Sequence, residues 1–143
     1  MKKNNIRLFV YGSMKKDFSN HGRLEKQKFL DNVTTQEKFV LYPHESYRFP
    51  CVYLDEAYDN IKGELYEIDV DTFKEIDVYE GYPNFYNRKI INVVNDLGKS
   101  VEAYIYYYIL PKDNVDIDGK CNFWEKEMEE AAGIVSALKE AFK

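Results

Sequence analysis

The sequence predicts an α+β protein, a mixed and curled sheet with one mid-chain helix and a second helix near the C-terminal end. Three observations predict it. Short apolar or alternating runs, the pattern of strands, recur between Ile6 and Leu110. One stretch with helical spacing, Thr72–Tyr79, interrupts them, and a longer amphipathic stretch follows Pro111. Turn formers separate the runs, namely Gly12, Gly81, Pro83, the Asn95–Gly98 cluster and Pro111.

Ile6–Tyr11 is a nearly continuous apolar run and reads as a buried strand that Gly12 ends. The turn Tyr11-Gly12-Ser13-Met14 presents consecutive backbone N–H groups, which can cradle an anion. Asp17–Leu24 is polar and reads as loop or short helix; its His21 reads as a surface or capping residue. Lys28–Val33 and Lys38–Tyr42 read as strands, with Thr34 and Thr35 between them. Tyr47–Leu54 is extended, and Pro50 assigns it to an edge or an irregular strand. Cys51 reads as a small buried filler. Asn60–Ile68 alternates, and Gly63 inside it marks a bulge or a close backbone approach.

Asp69 or Asp71 caps the helix that follows, whose Phe73 and Ile76 share one face. Gly81 closes it in a left-handed conformation, and Pro83 bars its resumption. Arg88–Val94 and Val101–Leu110 form a hairpin across Asn95–Gly98. The second of these strands sets Tyr104, Tyr106 and Tyr108 on one side. Lys112–Lys120 is polar loop. Cys121 or Asn122 opens an amphipathic helix through Phe142, which packs on its own sheet or mediates a dimer; the oligomeric state is open.

The 143 residues fit one domain. With 45% hydrophobic and 31% charged residues the chain is globular, not disordered. A net charge of −5 and only short basic pairs argue against nucleic acid as a partner. Two cysteines far apart in sequence, without a Cys-x-x-Cys or a His pair at metal spacing, argue against zinc and against a disulfide framework. No signal peptide or apolar run of spanning length is read, so the expected location is cytoplasmic, with no membrane partner.

Glu80 stands out. It ends the mid-chain helix among Tyr79, Tyr82, Phe85 and Tyr86. By position alone it reads as a solvated acid in the last turn of a helix. The alternative is that its aromatic surroundings disfavour the ionised form, which can raise a carboxylate pKa towards neutrality, as proton transfer at neutral pH requires.

Phe9-Val-Tyr-Gly-Ser-Met14, Asn20-His21 with Leu24, Gly63-Glu-Leu-Tyr-Glu-Ile68, Asp77-Val-Tyr-Glu-Gly-Tyr-Pro83 with Tyr86 and Arg88, and Ala103-Tyr-Ile-Tyr106 follow one another at fixed spacing. In these pieces the chain resembles the gamma-glutamylcyclotransferase-like superfamily, within it the gamma-glutamylamine cyclotransferase and avirulence-induced plant protein branch. The resemblance covers about residues 6–110. The chain is read as a single domain over 1–143, with the resembling core at about 6–110 and, outside the resemblance, a helical extension at about 121–142. The implied fold is a small mixed β-barrel with flanking helices around one cavity. Residues Tyr11, Gly12, Ser13 and Met14, where the family usually has Tyr-Gly-Thr-Leu, would receive the γ-glutamyl group. Glu80 falls on the family's catalytic Glu, and Tyr106 on its cavity-facing Tyr; Tyr79, Tyr82 and Tyr86 are candidate walls, with Tyr86 contacting substrate.

The chemistry suits the residue types. The α-amine of a γ-glutamyl amide can attack its own γ-carbonyl, releasing 5-oxoproline and a free amine without a protein nucleophile, metal or cofactor. One carboxylate can move both protons in turn. Backbone donors of the turn would hold the α-carboxylate or the developing oxyanion. The Phe18–Leu24 and Pro43–Pro50 stretches are expected to read whatever lies beyond the amide. Two other readings are a binding module for a small carboxylated metabolite and an interaction protein that uses the terminal helix.

Overall fold

A computed structural model of the chain describes residues 5–46 and 49–128. Among the described residues, the strands and the mid-chain helix follow in the order β1 (Ile6–Val10), β2 (Lys28–Thr35), β3 (Val40–Pro43), β4 (Pro50–Tyr53), β5 (Lys62–Ile68), α1 (Val70–Glu80), β6 (Tyr86–Val94) and β7 (Ser100–Tyr108). Five strands close into a barrel in the order β1-β5-β2-β6-β7. The closing pair, β7 on β1, is parallel at Leu8 opposite Tyr104, and the other four are antiparallel, so the barrel is mixed. Strands β3 and β4 form a separate two-stranded ribbon.

The alternation of each barrel strand divides the core in two. Leu8, Tyr66, Ile68 and Tyr106 pack with Phe73 and Ile76 of α1. Phe9, Val33, Leu65, Val93, Ala103 and Ile105 pack together on the opposite face. A helix about 10 Å across cannot lie inside five strands, so the face covered by α1 is the outer one. The inner face carries the smaller side chains, as a narrow barrel demands. Gly63 belongs to it. A Cβ there would collide with the Val10 carbonyl and stand 2.7 Å from the Phe9 ring. Of the two expectations for Gly63, close approach is the one realised.

Two expectations are corrected. Thr34 and Thr35 do not separate two strands; they end β2, opposite Val94 and Val93. Both are β-branched, and Thr35 is fully buried, its Oγ1 donating to the Glu37 carbonyl and accepting from the Ile61 N–H. Nor does a helix open at Cys121. That residue exchanges two backbone hydrogen bonds with Leu41, and Trp124 is buried against the barrel. Docking of this segment takes the backbone groups a helix would use, and helical conformation starts at Lys126. The rest of the expected terminal helix lies outside the described residues.

Lys15 secures the docked segment. Its Nζ donates to the Trp124 carbonyl at 2.5 Å and lies 3.8 Å from the centre of the Phe123 ring. The anchor is one residue from the Tyr11–Met14 turn, so the segment after the barrel stabilises the turn from behind.

Candidate active site

Helix α1 delivers Glu80. Asp69 starts the helix: its Oδ1 accepts from the Thr72 N–H at 2.7 Å, which makes Asp69 and not Asp71 the cap. Gly81 stops it one residue after Glu80, at φ 68°. The Gly81 N–H returns to the Val78 carbonyl, and the Tyr82 N–H to Asp77. The last side chain of the helix is therefore fixed at a rigid end.

The end of β1 delivers the opposite wall. Here the chain turns through Tyr11–Met14, with the Lys15 N–H on the Gly12 carbonyl at 3.1 Å and the Asn20 N–H on the Ser13 carbonyl at 2.8 Å. His21 Nδ1 lies 3.0 Å from the Met14 carbonyl, so His21 braces the turn from outside, consistent with a capping role. Among the described residues, the N–H groups of Gly12, Ser13 and Met14 reach no protein acceptor. Gly12 has no room for a side chain, since a Cβ would stand 2.8 Å from Pro50 Cγ.

Between turn and helix end lies a cavity of about 260 Å³. All seven residues singled out in the sequence line it: Tyr11, Gly12, Ser13 and Met14 from the turn, Glu80 from α1, Tyr86 from β6 and Tyr106 from β7. The size suits a small metabolite. Tyr79 lines it as expected. Tyr82 does not; its ring covers the Arg88 guanidinium at 4.1 Å instead.

Three of the four cavity tyrosines, Tyr11, Tyr86 and Tyr106, share one property. The Tyr11 hydroxyl donates to the Tyr106 carbonyl at 2.6 Å, the Tyr86 hydroxyl to the Pro50 carbonyl at 2.5 Å, and the Tyr106 hydroxyl to Asp77 Oδ1 at 2.6 Å. Each phenol hydrogen is committed, so any hydrogen bond these groups make to a ligand is made as an acceptor. Burial holds all three phenols protonated, pushing their pKa values up from the usual range. The cavity thus combines backbone donors from the turn with phenols whose hydrogens are committed elsewhere.

Glu80 has no hydrogen-bond or ion-pair partner among the described residues. Loss of water pushes its carboxyl up to about 7, while the Arg23 charge holds it back. Although the residue keeps some surface exposure, the carboxyl is largely withdrawn from water.

Sequence reading did not foresee Phe49 and Pro50, which line the cavity from the entry to β4, or Arg23, whose guanidinium lies 3.8 Å from the centre of the Tyr79 ring. Both fall in the two stretches expected to read the substrate, but no local pattern distinguished them. Cys51 is a buried filler, its thiol pushed up by burial. Among the described residues no group of three His, Cys, Asp or Glu side chains could hold a metal ion, and no helix is long and apolar enough to cross a membrane.

A closed barrel presenting one unpaired, near-neutral carboxylate to a metabolite-sized cavity is the architecture of a small-molecule enzyme. The chain belongs to the gamma-glutamyl cyclotransferase, AIG2-like family, whose model matches residues 8–126. It is a cyclotransferase enzyme by that membership. The match runs past Leu110, the end of the resemblance read from the sequence, and takes in the docked Trp124 segment. A candidate gamma-glutamylcyclotransferase of Methanocaldococcus jannaschii is 41% identical over 102 residues, covering 71% of this chain and 82% of that protein. The gamma-glutamylaminecyclotransferase of Rattus norvegicus is 28% identical over 112 residues, covering 69% and 75%. The crystal structure of an AIG2-like protein from Mus musculus superposes with a TM-score of 0.70 at 27% identity, covering 76% of this chain and 82% of that one.

Proposed function

We propose that this protein releases 5-oxoproline and a free amine from a γ-glutamyl amine or γ-glutamyl peptide, with Glu80 as base and then acid. The observation that carries the reading is the unpaired Glu80 carboxyl, poised at about 7 in a cavity facing unbound N–H groups. The donors and acceptors of the cavity suit an α-amino acid end. Free N–H groups of Gly12, Ser13 and Met14 offer donors to a carboxylate or an oxyanion. Phenolic oxygens offer acceptors to an ammonium.

The steps balance as follows. The Glu80 carboxylate takes one proton from the substrate's α-ammonium. The freed amine attacks the γ-carbonyl carbon, a C–N bond forms, and the carbonyl electrons move to oxygen. As the tetrahedral centre collapses, the bond to the leaving nitrogen breaks. That nitrogen takes the proton from Glu80 as it leaves. The regenerated carboxylate then takes the second hydrogen of the ring nitrogen, leaving the lactam N–H of 5-oxoproline. It passes this proton to the released amine, which departs as an ammonium, so that Glu80 returns to its starting state. A group near 7 suits both roles, being basic enough to accept and acidic enough to return.

The test is 5-oxoproline release from a panel of γ-glutamyl compounds by the purified protein and by Glu80→Gln. Turnover by the wild type and a loss of about 10³-fold or more in the variant, with an unchanged circular dichroism spectrum, is expected. Equal turnover in both would remove Glu80 from the mechanism. No product across the panel, with calorimetric binding of 5-oxoproline, would make the protein a binding module.

A further inference from the structure

The cavity contains a single charged side chain, Glu80, and no cation among its described lining residues. The positive charge acting on it comes from outside, from Arg23. Three observations define that residue. It is exposed, on the 3₁₀ turn His21–Leu24, whose Leu24 is buried and anchors the turn on the barrel. Its guanidinium stacks on Tyr79 at 3.8 Å. It has no carboxylate partner among the described residues, unlike Arg88, which Asp77 engages through two hydrogen bonds.

Tyr79 is the connecting wall. It lines the cavity, its hydroxyl lies 3.5 Å from Ser13 Oγ, and it reaches the surface, where it is 38% exposed. One face of its ring carries Arg23. A ligand held at the turn and extending outward along Tyr79 therefore meets an oriented guanidinium that makes no hydrogen bond or ion pair among the described residues. Stacking fixes the plane of the guanidinium and leaves its N–H edges free, the arrangement that takes a carboxylate in bidentate fashion.

We infer that Arg23 is a specificity-determining residue that selects γ-glutamyl compounds whose leaving amine carries a carboxylate, as an amino acid or peptide does. This rests on the cyclotransfer reading for its substrate class. The carboxylate of the glutamyl end goes to the turn, and the carboxylate of the leaving end goes to Arg23. A simple alkylamine leaving group has nothing to offer it.

Two probes differ in that carboxylate alone, γ-glutamyl-L-alanine and γ-glutamyl-ethylamide. The wild type is expected to prefer the first in kcat/KM, mainly through KM. In Arg23→Met, which keeps an unbranched chain on Tyr79 without the charge, the preference ratio falls about tenfold, as loss of one charge-assisted contact at an exposed site implies. Arg23→Lys restores part of it. The ratio cancels any effect of Arg23 on Glu80 or on the shared glutamyl end, because both probes feel these equally. An unchanged ratio in Arg23→Met overturns the proposal.

Calorimetric binding of the two probes to Glu80→Gln protein, with and without Arg23→Met, separates this proposal from the cyclotransfer reading. A preference for γ-glutamyl-L-alanine that Arg23→Met removes supports the role of Arg23 even if the wild type turns over neither probe. Binding of neither probe overturns both.

Discussion

Two carboxylates, Asp77 and Glu80, stand three residues apart on α1, almost one above the other, and the protein uses them in opposite ways. Asp77 is fully engaged. Its Oδ1 accepts from Tyr106 at 2.6 Å and from Arg88 Nε at 2.9 Å, and its Oδ2 accepts from Arg88 Nη2 at 3.2 Å. The Arg88 guanidinium is itself packed between the rings of Phe73 and Tyr82. Glu80 meets no partner among the described residues and is desolvated nonetheless. One turn of helix thus carries both a brace and the carboxylate proposed to carry protons. The difference lies in the company each carboxylate keeps: donors hold both oxygens of Asp77, while Glu80 is withdrawn from water without such donors, which pushes its carboxyl up.

The largest expected effect separates the two by activity. Glu80→Gln removes turnover by about 10³-fold or more, while Asp77→Asn keeps a measurable fraction, because Asp77 touches Tyr106 and not the substrate. Equal losses in the two variants would erase the distinction.

A second effect is linkage. The Glu80 carboxyl titrates near 4.5 when unfolded and about 7 when folded, so between these values the folded state binds more protons. Wild-type stability therefore falls as pH rises from 4.5 through 7, by roughly 3 kcal/mol at most. Glu80→Gln lacks this penalty. Its stability relative to wild type rises between pH 5 and pH 8, read as urea midpoints at both pH values. A constant difference would mean that Glu80 titrates as a solvated acid.

Removing the brace has the opposite sign. Asp77→Asn leaves the half-buried Arg88 with a neutral partner and destabilises the protein by about 2–3 kcal/mol at pH 8. The Asp77 side chain is 19% exposed, which keeps the effect towards the low end for buried pairs. Denaturant unfolding checks it, and a change under 0.5 kcal/mol would mean that Asp77 braces nothing.

The smallest effect concerns the wall opposite. Gly12→Ala places a Cβ 2.8 Å from Pro50 Cγ and moves this lining residue of the cavity away. About 1–2 kcal/mol of destabilisation is expected, with a rise in KM larger than the fall in kcat. Wild-type KM in that variant would show that Pro50 yields without reshaping the site.

Much of this was legible in the sequence because its signals are local. Alternation and turn residues marked the strands, and Gly81 followed by Pro83 marked where α1 ends. Those two residues also marked Glu80 as a helix-end side chain, and the aromatic residues around it pointed to a raised pKa. What was not legible depends on distant pairing. Pro50 reaches Gly12 only because the β3–β4 ribbon folds over the barrel mouth, and nothing in Phe49-Pro50 announces that destination. Thr34-Thr35 lies between two apolar runs, yet pairing with β6 makes it strand. The segment around Trp124 has helical apolar spacing, and its contacts with Leu41 and Lys15 override that preference up to Lys126. Arg23 became visible only when the stacking on Tyr79 placed it beside the cavity.

The contrast between the two acids is tested most directly by following the Glu80 side-chain carboxyl carbon by NMR as a function of pH in the folded wild-type protein. The account predicts a midpoint near 7 for Glu80. A midpoint near 4.5, the value of a solvated glutamate, would contradict it and remove the basis for proton transfer by this residue.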